Sequence, residues 1–208
     1  MSNETRNKRL RLLISRFNKQ RKKQAKQIDI LCNDIITAQK DFIKALKIIG
    51  FAADFYGAIT GVTNLNELLC TAGSYIQKHT PEANVAFFLL NADNFELHVF
   101  ENEQPIDLED KRIENFFSTE LVANISKSHQ ICTIDDMLGM GLQCSPVWLE
   151  KISTVAVPLS AGGNATGFVL IYRSSNNPLT ADELKAAAQI TPGLSRSIVS
   201  CRESVSSI

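Results

Sequence analysis

An α+β fold is predicted for this chain, an antiparallel sheet with packed helices, preceded by a long N-terminal helix. Three observations carry the prediction. Apolar residues recur at alternating steps of three and four from Ile28 to Ile59, the period of a helix in a coiled coil or bundle. The β-rich runs "NVAFFLL" with "FELHVF" and "STVAVPL" with "ATGFVLIYRS" come in pairs separated by turn residues, so consecutive strands form hairpins. Segments with helix-start signals lie before, between and after these pairs. Helices distributed in this way pack on one face of an antiparallel sheet.

The N-terminal element is a basic, coiled-coil-like helix over residues 1–60. Its seam runs through Ile28, Leu31, Ile35, Ala38, Phe42, Ala45, Ile49, Ala52, Tyr56 and Ile59. Ile36, Ile43 and Leu46 widen the stripe, which suits a bundle of three or four helices better than a two-stranded seam. A helix with such a stripe needs a partner. Ile28, Leu31, Ile35, Phe42, Ile49 and Tyr56 are therefore dimerisation candidates. Extended backward, the seam meets Gln24 and Arg21 before Phe17, Ile14 and Leu10.

Residues 61–208 make the compact domain. Asn64 with Glu67 three residues later opens a helix to about Lys78. "NVAFFLL" is a buried strand, "ADN" a turn, and "FELHVF" a returning strand with Phe95, Leu97 and Val99 on one face. "DKRIENFFSTELVANISKS" is one amphipathic helix and "HQICTID" a short strand. The uncharged stretch "MLGMGLQCSP" and a helical turn around Trp148 come next, then a hairpin turning at "SAGGN". "TADE" starts the last helix as a second capping box. Pro192-Gly193 predicts a kink or break at residues 191–193, although Leu184, Ala187, Thr191, Leu194, Ile198, Cys201 and Val205 keep the three-four spacing.

Composition sets the class. With 208 residues, 44% of them hydrophobic, the chain can bury a sizeable core. Net charge is zero, yet residues 1–27 carry ten Lys or Arg against one acid, and the remainder is correspondingly acidic. No apolar run reaches the ~18 residues of a membrane span. Five cysteines form no CxxC pair or regular framework, as expected of reduced thiols in a cytoplasmic protein. The basic arm has no second DNA-reading helix and no aromatic stacking platform. It is expected to be the solvated end of a coiled coil, and neither nucleic acid nor membrane is the expected partner.

The phrases "TNLNELLCTAGSYI", "ANVAFFLLNADNFELHVF" and "STVAVPLSAGGNATGFVLIYRSSNNPLTADELKAAAQI", in this order, resemble the GAF domain, a sensory module of signalling proteins. Pro158-Leu159, the glycine turn, Gly167 and the Leu-Thr-x-x-Glu helix start look like the family's C-terminal half. The match covers roughly residues 62–201. The resemblance implies a GAF/PAS-like six-stranded antiparallel sheet with flanking helices, a ligand pocket on one face, and dimerisation through flanking helices. If the last helix resumes after Gly193, Leu194 and Ile198 join the dimer seam and four helices of two subunits form one bundle.

"MLGMGLQCSP" admits three readings. As a phosphate loop it lacks a Lys and both glycine-loop spacings. As a nucleophile loop it offers Cys144, with Cys132 and His129 near in sequence, but a reactive thiol needs a cation, a base or a helix N-terminus. The cysteine motif of the GAF-fold enzymes that reduce free methionine sulfoxide is absent. So are the Asn-Lys pair of cyclic-nucleotide binders and the Cys-His dipeptide of bilin carriers. The third reading is a soft lid, in which glycines give mobility and methionines an adaptable apolar wall. The expected pocket lies between Met137, Met140, Cys144 and Trp148 on one side and Phe87, Leu89, Val155, Val157, Phe168 and Leu170 on the other. No cofactor is required and no metal site or catalytic residue is expected. The leading expectation is a dimeric small-molecule sensor that relays binding through its terminal helices to a separate signalling protein. The alternatives are a ligand-free adaptor that recruits a protein partner, and a cysteine-dependent reductase.

Overall fold

The computed structural model describes residues 3–91, 94–101, 112–145 and 149–206. The chain forms two compact units, Met1–Lys47 and Ile48–Ile208. Helix α1 (Asn3–Ile59) begins in the first and ends in the second. Within the first unit the seam is open to solvent: Ile28, Leu31, Ile35 and Phe42 are between 58% and 65% exposed. No described helix is long and apolar enough to cross a membrane.

In the second unit, α2 (Leu65–His79) starts where the Asn64 side chain accepts the Glu67 N–H at 3.1 Å, as an N-cap asparagine does. Strands β1 (Asn84–Asn91) and β2 (Asn94–Phe100) form a hairpin. A 3-10 turn at Ile113–Phe116 precedes α3 (Thr119–Lys127). These correct the single helix expected over this stretch: the Ser118 hydroxyl accepts the Leu121 N–H and starts the chain afresh. Then come β3 (Cys132–Thr133), α4 (Ile134–Gly139), β4 (Ile152–Ala161), β5 (Asn164–Ser174) and α5 (Ala181–Ser206).

The sheet has the order β2-β1-β5-β4-β3, antiparallel throughout. Among the described residues it has five strands, not six. Gly162 and Gly163, both at positive φ, make the two-residue β4–β5 turn, which requires that conformation at both positions. Gly167 has φ +145°, and a Cβ there would lie 2.0 Å from the Phe88 carbonyl oxygen. Only glycine lets β5 approach β1 at this point.

Helices cover both faces of the sheet, which corrects the one-sided packing expected. On one face Ala52, Phe55 and Ile59 of α1, Leu68, Leu69, Ala72 and Ile76 of α2, and Ala187, Ile190, Leu194 and Ile198 of α5 surround Val85, Phe87, Leu89, Val155, Val157, Val169 and Ile171. On the other, Leu121, Val122 and Ile125 of α3 and Met137 of α4 cover Ala86, Phe88, Ala156, Phe168, Leu170 and Tyr172. The central strands are apolar on both sides, as strands sandwiched between layers are.

Helix α5 runs unbroken through Pro192, against the break expected at 191–193. Proline cannot donate to the carbonyl four residues earlier, that of Ala188, and the Thr191 hydroxyl donates to that carbonyl instead at 2.9 Å. The Tyr56 hydroxyl donates to the Gln189 carbonyl at 2.8 Å. Gly193 leaves room for the Tyr56 ring, since a Cβ there would fall 2.1 Å from it.

Candidate functional site

Strand alternation decides which predicted residues can meet. Successive residues point to opposite faces, so Phe168 and Leu170 face α3 and α4, while Phe87, Leu89, Val155 and Val157 face α2 and α5. The predicted pocket wall is therefore split between two layers. Its four residues on the α2–α5 face are core, a correction with a simple cause: β1 and β4 carry apolar residues on both faces, so their hydrophobicity does not tell one parity from the other.

Met137 joins Phe168 and Leu170 on the α3–α4 face, with Met140 and Cys144 partly buried beside them. The glycine-containing stretch opens as a capped helix rather than as a loop. Asp136 accepts both the Thr133 N–H at 2.8 Å and its hydroxyl at 2.7 Å, and returns its own N–H to that hydroxyl. Those bonds hold the Asp136 carboxyl below its ordinary range. Met137 is fully enclosed, and Gly141 at φ +107° turns the chain after it. Trp148 lies outside the described residues.

The middle of this face is filled by rings. Phe88 stacks on Phe168 at 4.6 Å and 13°, and Phe117 lies 4.8 Å from Phe88 and 5.8 Å from Phe168. Contacts of this kind are worth about 0.5–1.5 kcal/mol each beyond the area they bury.

The end of the face towards Tyr172 is polar. Tyr172 is paired in register with Asn84 on β1 and Thr154 on β4, so three polar side chains stand in a row across the sheet. Glu114, on the 3-10 turn, is 3% exposed, and the Tyr172 hydroxyl donates to its Oε1 at 2.6 Å. Glu114 Oε2 and Thr154 Oγ1 are buried with no hydrogen-bond partner among the described residues. Burial first, then the Glu114 charge and the bond to it, push the Tyr172 phenol far above its ordinary pKa. The hydroxyl is thus a permanent donor. Just outside, Arg112 pairs with Glu101 at 2.7 Å, both more than half exposed. The sequence reading missed Glu114 and Tyr172. The available signal was an acid set among apolar neighbours, "RIENFF", and a tyrosine in an otherwise apolar run.

Neither candidate thiol is lowered towards the thiolate. Burial raises the pKa of Cys132, the Ser128 hydroxyl lowers it less, and Asp136 adds to the rise. Burial likewise raises that of Cys144 against the Ser145 N–H. Activation needs the opposite direction. Among the described residues no three His, Cys, Asp or Glu side chains are grouped to hold a metal ion.

The dimerisation candidates also divide. Ile49 is 60% exposed, like the four seam residues of the first unit. Tyr56 is half-buried on α5 through Gln189 and Gly193. Leu194 and Ile198 are fully buried in the domain's own core, so neither can form a seam with a second subunit. The three-four stripe of α5 is the face it turns to the sheet.

No protein-family profile matches the chain, and no curated protein matches it. Solved structures do. The GAF domain of the Acinetobacter phosphoenolpyruvate-protein phosphotransferase superposes with a TM-score of 0.57 at 12% identity, over 78% of this chain and 98% of that one. The GAF domain/HD domain protein of Geobacter sulfurreducens gives 0.52 at 15% identity, over 70% and 98%. GAF3 of a Synechocystis sp. PCC6803 protein, in its photoproduct state, gives 0.51 at 16% identity, over 69% and 98%. The compact domain has the GAF fold.

Proposed function

We propose that this chain is a dimeric signalling module that senses a small molecule and relays its binding through α1 to a separate protein. The single observation that carries the reading is the open seam of α1. Four bulky apolar side chains on one stripe, Ile28, Leu31, Ile35 and Phe42, stand in water. Each gains about 1.5–3 kcal/mol when fully buried, and a second copy offers the same stripe to bury them. The GAF fold supports the sensory half of the reading. Relay has a structural basis within the compact domain: Ala52, Phe55 and Ile59 of α1 are core residues, and Tyr56 is bonded to α5. A ligand acts by binding one arrangement of this packing better than another.

The test combines two measurements on the full chain. Sedimentation equilibrium should find a dimer for the native protein and a monomer for the Ile35→Asp/Phe42→Asp double variant, with the domain's melting temperature unchanged. A native monomer at 100 µM would sink the dimer. A thermal-shift screen against small metabolites should find a ligand.

The filled aromatic centre of the α3–α4 face favours a second reading, a ligand-free adaptor that recruits a protein. Capture of one defined partner that depends on residues 1–60, together with silence of the ligand screen, would select it.

A further inference from the structure

We infer that Glu114, with Tyr172 and Thr154, forms a recognition site for a small organic cation carrying N–H donors, a primary ammonium or a guanidinium. The inference rests on the ligand-sensing reading and names the class of ligand.

A buried carboxylate is expensive unless its lone pairs are filled. Glu114 has one oxygen occupied, by the Tyr172 hydroxyl at 2.6 Å, and the other unpartnered among the described residues. Tyr172 cannot serve that second oxygen, because its single hydrogen is already committed. Thr154, in register beside Tyr172, adds a second buried oxygen that lacks a partner. Glu114 Oε2 lacks a donor, and the Thr154 hydroxyl, which can both donate and accept, has neither partner.

Charge narrows the class. Two acids, Glu114 and Glu101, and one base, Arg112, act on Tyr172, so the group carries a net negative charge when its acids are ionised. Arg112 pairs with Glu101 at 2.7 Å, and among the described residues no cation bonds the inner carboxylate. A cation that also donates hydrogen bonds satisfies both deficits, and such charge-assisted bonds are roughly twice as strong as neutral ones. An anion meets repulsion, and a neutral donor fills the lone pair without balancing the charge. The site is near the surface, since Arg112 and Asn115 on either side of the 3-10 turn's buried Ile113 and Glu114 are exposed.

The experiment is a thermal-shift and calorimetric titration of the full chain at constant ionic strength. The probes are phenethylammonium and guanidinium, with 2-phenylethanol and phenylacetate as neutral and anionic counterparts. Tetramethylammonium, charged but without N–H donors, completes the set. The two N–H cations should raise the melting temperature and the others should not. Glu114→Gln should weaken binding at least tenfold while the free protein melts at the same temperature or higher, because a buried charge has been removed. Thr154→Val, which deletes only an unpartnered hydroxyl, should leave the free protein equally stable and also weaken binding.

Equal binding of the N–H cations by Glu114→Gln overturns the assignment. So does a response to tetramethylammonium equal to theirs, which would make the effect one of charge alone. Binding of only the neutral or anionic probe overturns it while leaving the sensing reading intact. No response to any probe, with bound water alone filling the second oxygen, overturns the assignment, and silence of the wider metabolite screen then removes the sensing reading too.

Discussion

Arg173 is 3% exposed, and all five of its N–H groups are used. Nε donates to the Asn177 carbonyl at 2.6 Å. Nη1 donates to Pro81 and to Glu183 Oε1, and Nη2 to Pro178 and to Glu183 Oε2. One side chain on β5 thus holds the segment before β1, the β5–α5 connection and the first turn of α5. Arg173→Ala strands the Glu183 carboxylate, whose side chain is only 14% exposed, and three carbonyls. Breaking a buried pair from one side costs about 3–5 kcal/mol, against a total stability of about 5–15 kcal/mol for a typical domain. At about 2–4 °C per kcal/mol for a chain of this size, the melting temperature should fall by about 6–20 °C. Urea unfolding followed by circular dichroism measures it, as a lower midpoint with an unchanged slope. A loss under about 1 kcal/mol, the scale of an exposed pair, would refute the clamp. So would strict additivity of Arg173→Ala and Glu183→Ala, since coupled partners deviate by about 0.5–3 kcal/mol.

The same pair gives a pH dependence. Burial opposes ionisation of Glu183 most strongly. The Thr180 N–H and hydroxyl bonds and then Arg173 together outweigh it, and hold its pKa below the ordinary value. A lowered folded-state pKa means that the unfolded chain takes up the proton first as pH falls. The contribution is therefore complete above the unfolded glutamate's range, about pH 4.3, and is lost below it. Glu183→Gln should flatten the acid limb of the stability curve, and an unchanged limb would place the titration elsewhere.

Two further predictions concern the backbone. Gly167→Ala puts a Cβ 2.0 Å from the Phe88 carbonyl oxygen at φ +145°, and should cost about 2–4 kcal/mol in urea unfolding; a loss below 1 kcal/mol would show that the β1–β5 contact yields. Thr191→Val leaves the Ala188 carbonyl without the donor that replaces the one Pro192 lacks, and should cost about 1 kcal/mol. The Thr191→Val/Pro192→Ala double variant should recover it by restoring the backbone donor.

Much of the fold was legible because local signals are written in single residues. Asn64, Thr180 and the Gly162-Gly163 turn each announce a cap or a hairpin, and the structure uses all three. Periodicity found the helices. It could not say what faces them: the stripe through Leu194 and Ile198 resembles a seam for another subunit, yet it is spent on the chain's own sheet. A helix packed on a sheet and a helix packed on a helix bury the same spacing. Ser118 broke a helix that periodicity ran straight through, because a cap competes locally in a way that an average over the segment conceals.

The site was less legible for a geometric reason. In β1, six consecutive residues from Asn84 to Leu89 are buried, and the five after Asn84 are all apolar, so burial by itself does not show which parity faces which layer. Phe87, Leu89, Val155 and Val157 therefore stand across the sheet from Met137, Phe168 and Leu170, because a shift of one residue in a strand changes the face. Polar residues in such strands carry more information than the apolar ones around them. Tyr172 and Arg173 are neighbours in β5 that face opposite layers; each is nearly enclosed, and each bonds a glutamate, Glu114 58 residues away and Glu183 ten. A buried polar group survives in a core only with a partner, so each implies another residue that the chain must bring to it. Glu183 was visible as the end of a capping box. Glu114 was not, because its helical turn is too short to show a period and its partner lies across the fold. Among the described residues this accounting fails to close at three buried atoms, Glu114 Oε2, Thr154 Oγ1 and His98 Nε2; the first two belong with Tyr172 on the α3–α4 face, and that is why the candidate site lies there rather than at the methionines and glycines.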